Sequence, residues 1–474
     1  MSWTTTEFWV EGYAWGWPLL IYLCGLIASI DAIWNGRTSQ GTLAWVTTLT
    51  FIPFIALPLY LLFGSPKFHG YKKVRKASEK TLQYLQSQQA LFDNSSHCKQ
   101  KSNSITPLES LARLPQSEKN DVHLLINGEQ TFANIFLAIK EAKHFILIQF
   151  YIVNDDKLGR RLQKSLIDKA NQGIKIYFLC DQIGSSGLNK SFLKQMEQAG
   201  IKCSQFNSPT LKRRWQINFR NHKKLIIIDG ETCFIGGHNV GDEYLSRDPS
   251  VGLWRDTHLQ IDGPATLAAQ LSFTEDWYWA NNEMLNLSWQ AYHSEQSIKA
   301  LIIASGPADN IESMSLSFVH LLLSAKKRIW LATPYFVPDL KVMGALQLAA
   351  LKGIDIRILL PEKTDSFIID LAMRNYVNEL SKLGIVFLKY QNGFMHQKVM
   401  LVDDEFSFIG SANLDNRSLR LNFELNALIQ SDSFANEVET MLQADFDGSI
   451  PYSTQNSFFH TLSSKAARLL SPIL

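Results

Sequence analysis

The sequence predicts an α/β protein: two pseudo-equivalent α/β/α halves sharing one cleft, preceded by an N-terminal transmembrane helical hairpin. Three observations carry that prediction. A pattern of chemistry-bearing residues occurs twice. The segments leading into it recur with it, as strands alternating with helices. Two long uncharged apolar runs stand ahead of both copies.

The apolar runs come first in the chain. Residues 12–30 (GYAWGWPLLIYLCGLIASI) and residues 38–66, which include TLAWVTTLTFIPFIALPLYLLFG, carry no charge. At ~1.5 Å per residue the second is long enough to span a bilayer, and the first is near the lower limit. Trp15, Trp17, Trp34 and Trp45 lie near the run ends, where interface anchors sit. Pro53 and Pro58 are tolerable inside a membrane helix. A buried helix of a soluble protein is the other reading of each run. A cleaved signal is disfavoured, because Glu7 and Glu11 take the place of a basic n-region. Lys67, Lys72, Lys73, Arg75, Lys76 and Lys80 follow the second run, whereas the loop between the runs has only Arg37. The positive-inside rule then places the body in the cytoplasm. The same cluster suits contact with anionic headgroups. Residues 1–66 are therefore read as a membrane anchor. Residues 67–117 are read as a basic juxtamembrane segment and polar linker, helical around Thr81 to Leu91.

From about residue 121 the pattern turns to strands and helices. IQFYIVNDD (148–156) parallels ATPYFVPDL (332–340), NQGIKIYFLCD (171–181) parallels LKGIDIRILLP (351–361), and AGIKCSQFN (199–207) parallels LGIVFLKYQ (383–391). Tyr151 and Tyr335 match in this repeat, and core packing explains them as well as substrate contact does. The first half carries about ten extra residues before its motif, with Lys212, Arg213, Arg214, Trp215 and Arg220 among them. The expected halves are residues 118–290 and 291–448, followed by a C-terminal amphipathic tail at 449–474.

Each half carries one copy of the repeated pattern. HKKLIIIDGETCFIGGHN supplies His222, Lys224, Asp229, Gly236 and Asn239; HQKVMLVDDEFSFIGSAN supplies His396, Lys398, Asp403, Gly410 and Asn413. The offset is 174 residues from His222 to His396 and again from Asn239 to Asn413. Four apolar residues follow each Lys as a short buried strand. Alternation along that strand puts His and Lys on one face. An imidazole beside an ammonium, twice over, suits a phosphoryl group held between two histidines. Asn239 and Asn413 can donate N–H to phosphate oxygens. Asp229 and Asp403 stand one residue past the strand, and two readings remain for them: a catalytic role, or an Asx turn. Asp256 and Glu424 lie in apolar strand-like segments and are candidates for orienting the histidines, 34 and 28 residues after His222 and His396. His238 falls inside the first motif turn but matches Ala412 in the second copy, and is left out of the site.

Composition adds little. The net charge is +2, which selects no partner class. Five scattered cysteines show no metal spacing and read as reduced, buried thiols. No carboxylate cluster of metal type is present, so neither a metal nor another cofactor is expected.

The repeated pattern resembles the HKD motif of the phospholipase D superfamily, and both halves resemble phospholipase D-like domains. The apolar hairpin ending in PLYLLFG, NVGDEYL with WRDTHLQIDGP after the first motif, and NLDNRSLRLNFELN after the second resemble the bacterial cardiolipin synthases. Gly237 departs from that family, where Ser is commoner, and reads as conservative for a tight turn. The resemblance implies transfer of a phosphatidyl group between two phosphatidylglycerols, releasing glycerol and giving cardiolipin. It implies His222 as nucleophile, His396 as acid and base, and Lys224, Lys398, Asn239 and Asn413 as the charge stabilisers. It also implies a multi-pass inner-membrane enzyme facing the cytoplasm, with no nucleic-acid partner. A membrane-anchored phospholipase D using water, and a nuclease of the same fold, are the rival readings. Oligomeric state is open.

Overall fold

The computed structural model describes residues 5–36, 39–64, 71–87, 105–206, 218–249, 251–453, 458–468 and 471. Lys67, Cys98 and Lys212 to Trp215, and the side chains of Trp15 and Lys72, lie outside the described residues. The chain divides into two compact units: Met1–Tyr71 with Asn207–Phe219, and Lys72–Phe206 with Arg220–Leu474, which carries both motifs.

The first unit holds α1 (Thr5–Asn35), α2 (Ser39–Phe51) and α3 (Pro53–Phe63). Gly16–Asn35 is long and apolar enough to cross a membrane. The second apolar run is not the single span expected: it breaks at Ile52, whose φ of −136 and ψ of 53 leave the helical region. Pro53 causes the break, having no N–H and crowding the residue before it. Ile52 N–H still reaches Thr48 O (2.8 Å), and Ala56 N–H reaches Ile52 O (3.0 Å), so the two helices continue through a kink. Gly25 permits close crossing, since a Cβ there would stand 2.7 Å from Leu49 O. Ala28, Ala32, Leu49, Ala56 and Tyr60 form the core of the three helices. Trp45 packs on Tyr60 (ring centroids 5.2 Å apart) instead of standing out as an anchor, whereas Trp17 and Trp34 remain exposed. Leu23, Leu26, Ile27, Ile30, Ile33, Phe54 and Ile55 also face outward.

In the second unit, α4 (Tyr71–Ser87) begins ten residues before the helix expected at Thr81. Its Leu82 and Leu85 pack with Leu114, Leu267 and Leu271, and Ser78 donates to Glu275 (2.7 Å). Arg75, expected at headgroups, is ion-paired with Asp309.

The strands of the first half are β1 (Ser117–Ile126), β2 (Phe145–Phe150), β3 (Lys175–Asp181), β4 (Lys202–Phe206), β5 (Arg220–Asn221), β6 (Leu225–Ile228), β7 (Thr232–Gly236), β8 (Trp254–Arg255) and β9 (Thr257–Asp262). Those of the second are β10 (Ile298–Ser305), β11 (Arg328–Ala332), β12 (Phe336–Val337), β13 (Asp355–Pro361), β14 (Val386–Tyr390), β15 (Phe394–Met395), β16 (Val399–Val402), β17 (Phe406–Gly410), β18 (Leu414–Asp415), β19 (Asn422–Gln430) and β20 (Ser449–Pro451). The first half orders its sheet β1-β9-β7-β6-β2-β3-β4; the second repeats it as β10-β19-β17-β16-β11-β13-β14, with β20 added at the edge. β1 and β10 pair antiparallel and fuse the two into one sheet. Each half has its own apolar core, around Phe150 and Phe178 in one and Leu346 and Phe408 in the other. The motif strands β6 and β16 are buried along their whole length, as four consecutive apolar residues require.

The tail, expected as an amphipathic segment, packs on the second half. Helix Phe458–Arg468 packs on helix Phe367–Ser381: Arg468 pairs with Glu379 (3.0 Å), Ala467 is buried, and Ser471 bonds Tyr376 (3.0 Å).

Candidate active site

Two short strand pairs stitch the halves together and set the site. β5 runs parallel to β19, with Arg220 opposite Asn422; β8 runs parallel to β15, with Trp254 opposite Phe394. His222 N–H then donates to Phe423 O (2.9 Å), and His396 N–H to Arg255 O (2.8 Å). One residue further on stand the two carboxylates. His222 Nδ1 lies 3.0 Å from both oxygens of Glu424, and His396 Nδ1 lies 2.7 Å from Asp256 Oδ2. Each carboxylate therefore serves the histidine of the other half, not the one it follows in sequence. An ionised carboxylate only accepts, so each imidazole carries its proton on Nδ1 and keeps an Nε2 lone pair.

Burial decides the charge states. It lowers His222, with the nearby ammoniums of Lys224 and Lys398 assisting and Glu424 opposing. It takes His396 down to about 3, Lys398 assisting and Asp256 opposing. Both imidazoles are therefore neutral at pH 7, as a nucleophile or base must be. Burial alone would raise the two carboxylates. Interactions with His238, His396 and Lys398 overcome it at Asp256, and those with His222, Lys224 and Ser411 at Glu424, so both carboxylates stay ionised while the imidazoles are neutral. Lys224 and Lys398 donate to the backbone oxygens of His222 and His396. Burial and mutual repulsion hold Lys224 well below its usual value; burial brings Lys398 to about 8, with Asp256 and Glu424 opposing. Two adjacent cations and two neutral imidazoles make a receptor for one phosphoryl anion.

Asn239 accepts from Ile152 N–H (3.1 Å) and donates to Tyr244 OH (3.0 Å). Asn413 Oδ1 is buried with no partner among the described residues. Asp229 and Asp403 lie at the far end of the motif strands, and the Asx reading accounts for them. Their φ angles are 57° and 55°, the left-handed region that Asp tolerates. Asp229 accepts from Lys143, His144 and Phe145 N–H (2.7 to 2.8 Å), and Asp403 from Lys326, Lys327 and Arg328 N–H (2.8 to 3.2 Å). Both carboxylates hold the loop entering the neighbouring strand, β2 or β11, and neither reaches the histidines.

The residue between His and Lys points to the opposite face of each strand. Lys223 is buried there, bonded to Asp276 (2.7 Å) and Ser272 (2.8 Å). Its counterpart Gln397 donates to Asp445 (2.8 Å), which also takes a two-pronged bond from Arg255 (2.9 and 2.7 Å). Arg255 directly precedes Asp256, so this pair fixes the carboxylate from behind.

Further residues pack around the two pairs. Ser411 Oγ donates to Glu424 (2.6 Å). At the matching Gly237 a Cβ would stand 2.0 Å from Asp256 Oδ1, so this glycine is required by the carboxylate, not by the turn. His238 packs on His258 (Nδ1 to Nδ1 3.2 Å), and the two are buried together. A histidine matched to Ala412 gave no repeat signal. Tyr151 sets its ring 5.0 Å from that of His222.

Comparisons with known proteins agree with this layout. A family model described as "Cardiolipin synthase, PLD-like domain" matches residues 135–271 and 318–446. Cardiolipin synthase A of Pseudomonas putida (strain W619) is 41% identical over 98% of this chain and 99% of its own length. The chain belongs to the bacterial cardiolipin synthase family of the phospholipase D superfamily. Cardiolipin synthase A of Pseudomonas aeruginosa (strain UCBPP-PA14) is 40% identical over 96% of this chain and 95% of its own. A phosphatidylserine synthase of Haemophilus influenzae Rd KW20 shares the fold at a TM-score of 0.60, with 14% identity, 78% of this chain and all of that one covered. A model described as "Phospholipase_D-nuclease N-terminal" matches residues 25–65. With the apolar helix at Gly16–Asn35, it marks a membrane-associated protein.

Proposed function

We propose that the chain joins two phosphatidylglycerols, giving cardiolipin and glycerol, and that the crossed His222–Glu424 and His396–Asp256 pairs are its catalytic centre. The pairs carry the reading: two neutral imidazoles, each held by a carboxylate of the other half, flank one cationic pocket. One Nε2 attacks the phosphorus of the first lipid while the other histidine, protonated on Nε2 from water once the anionic phosphate is bound, gives the leaving glycerol that proton. A P–N bond forms and a P–O bond breaks. The terminal hydroxyl of the second lipid then forms a new P–O bond as the P–N bond breaks, and its proton passes to the histidine that acted as acid. Lys224 and Lys398 hold the nonbridging oxygens, with Asn239 and Asn413 beside them. The family resemblance favours His222 as nucleophile. Asp229 and Asp403 keep the motif strands in register and take no part in the chemistry.

The reaction needs no metal on this scheme, since the lysines supply the charge. The halves correspond to residues 118–290 and 291–448. Residues 1–66 anchor the body through two passes, the second kinked at Pro53, and the basic residues after them favour a cytoplasmic body at the inner membrane. The phosphatidylglycerol reaction is tested with the detergent-solubilised protein, phosphatidylglycerol and EDTA, followed by mass spectrometry of lipids and glycerol. Cardiolipin with equimolar glycerol is expected. Phosphatidic acid as the main product contradicts transfer and makes the chain a hydrolase.

A further inference from the structure

The two ends of the cleft are built alike in backbone but not in chemistry. Beside His396, Phe394 faces Trp254, whose ring lies 5.1 Å from the imidazole. In the equivalent place beside His222 stand Arg220 and Asn422. Arg220 is two residues before His222 on the same strand face. Arg417 joins it from the short helix Asn416–Arg420, which leads into β19. One guanidinium comes from each half, and both are half-buried. Arg220 bonds the hydroxyl of Tyr151, whose ring packs on His222, and Arg417 lies close enough for its charge to act on the same hydroxyl. Burial first, and then the charge of Arg220, lower Arg417, with Asp415 opposing. Two like charges drawn together out of water suit an anion between them, and guanidinium forks suit phosphate oxygens.

That anion is not the reacting phosphate. Lys224 and Lys398 already stand at the histidines, and Arg220 is displaced along its strand by about 6.7 Å, two residues of rise. Asn422 gives an independent indication of what lies between. Its Nδ2 donates to Glu424 Oε1 (3.1 Å), and a carboxylate can only accept, so the amide orientation is fixed. Its Oδ1 is then buried with no partner among the described residues, in a residue 7% exposed. A buried acceptor is satisfied by a hydroxyl donor. The pocket therefore asks for a phosphodiester carrying a neighbouring hydroxyl, one short spacer away from the reacting phosphorus. The headgroup of a second phosphatidylglycerol has that pattern: its own phosphate, a glycerol with a middle hydroxyl, and the terminal hydroxyl that reacts.

We propose that Arg220, Arg417 and Asn422 form an acceptor subsite, the guanidiniums holding the phosphodiester of the second phospholipid and Asn422 Oδ1 accepting from the middle hydroxyl of its glycerol. The proposal rests on the transfer reaction above. It gives a lipid acceptor an advantage that water, having no phosphate, cannot share.

The test compares two acceptors on one donor. Cardiolipin formation uses an acceptor with a phosphate; exchange of labelled free glycerol into phosphatidylglycerol uses one without. Arg220→Gln and Arg417→Gln are expected to lower cardiolipin formation at least about tenfold more than glycerol exchange, the value of one charge-assisted hydrogen bond. The loss is expected in KM for phosphatidylglycerol as acceptor. Arg417→Lys, which keeps the charge without the fork, recovers part of it. Equal losses in both reactions overturn the proposal, because the guanidiniums then serve the reacting phosphate or the fold. Unchanged variants overturn it too. A wild-type protein that performs neither reaction fails at the transfer reading itself, and the subsite falls with it.

Discussion

The two halves match strand for strand, yet they differ in what stands behind each histidine. Glu424 is clasped by a serine hydroxyl and an asparagine amide, whereas Asp256 fills the space where that serine would be and has two buried histidines for neighbours. Behind the motif strand, one half uses a lysine–aspartate ion pair and the other a glutamine on an arginine–aspartate pair. The common sheet fixes where the imidazoles meet. The differences show that a duplicated frame tolerates divergence in the groups that hold it, provided each histidine keeps a buried anion behind its Nδ1.

The comparison can be broken most severely at the carboxylates. Glu424→Gln and Asp256→Asn keep volume and remove charge, which loses the tautomer control; kcat is expected to fall about 10³-fold or more in each. Comparable losses mean equivalent pairs, and a mild loss in one means that its histidine does not need orienting. Behind the strands the halves should separate. Lys223→Met removes the ammonium paired with the buried Asp276, which keeps the neutral donors Gln149 and Asn221, at a cost of ~3–5 kcal/mol. Gln397→Met removes a neutral donor from Asp445, which keeps Arg255, at a cost of ~1–3 kcal/mol. Denaturant midpoints measure both, and equal costs would contradict the distinction.

Exchanging the turn residues sharpens the contrast. Gly237→Ser forces Asp256 off His396 and is expected to lower kcat about 10²-fold, as a small misplacement at a reacting group does. Ser411→Gly loses one hydrogen bond to Glu424, worth ~1 kcal/mol and therefore only a severalfold change. A separate contrast lies in pH dependence. His222, His396, His238 and His258 are all lowered by burial, His238 to about 4. The unfolded chain binds protons below about pH 6.5 that the folded one refuses. Stability is therefore full above that pH and declines as pH falls toward the folded values. Asp256 and Glu424, being depressed, act in the same sense at lower pH. His238→Ala, the residue of the second copy, removes one of these protons. It should flatten the decline between pH 6.5 and about 4 by up to ~1.4 kcal/mol per pH unit. An unchanged slope would show that His238 does not titrate on unfolding.

The repeat made the two equivalent halves and the histidine–lysine face readable, because alternation along a strand is a local rule. The exchange of carboxylates between halves was not readable. It depends on β5 meeting β19 and β8 meeting β15, pairings of distant segments that leave no period in the sequence. Asp229 and Asp403 were misleading because they are near the motif in sequence, while an extended strand carries them away from it. The same extended geometry turns Lys223 to the opposite, buried face, away from the histidine–lysine pair. Pro53 was read for tolerance when its effect on Ile52 mattered more, and the terminal helix was read without the partner that buries it.

The account's central claim is that both motifs act on a single phosphorus. His222→Ala, His396→Ala and the double variant test it in one assay of cardiolipin formation. Residues working as one unit are non-additive, so each single variant should be as inactive as the double. A double variant whose loss is the product of two partial single losses would mean two independent sites, and would contradict the shared centre.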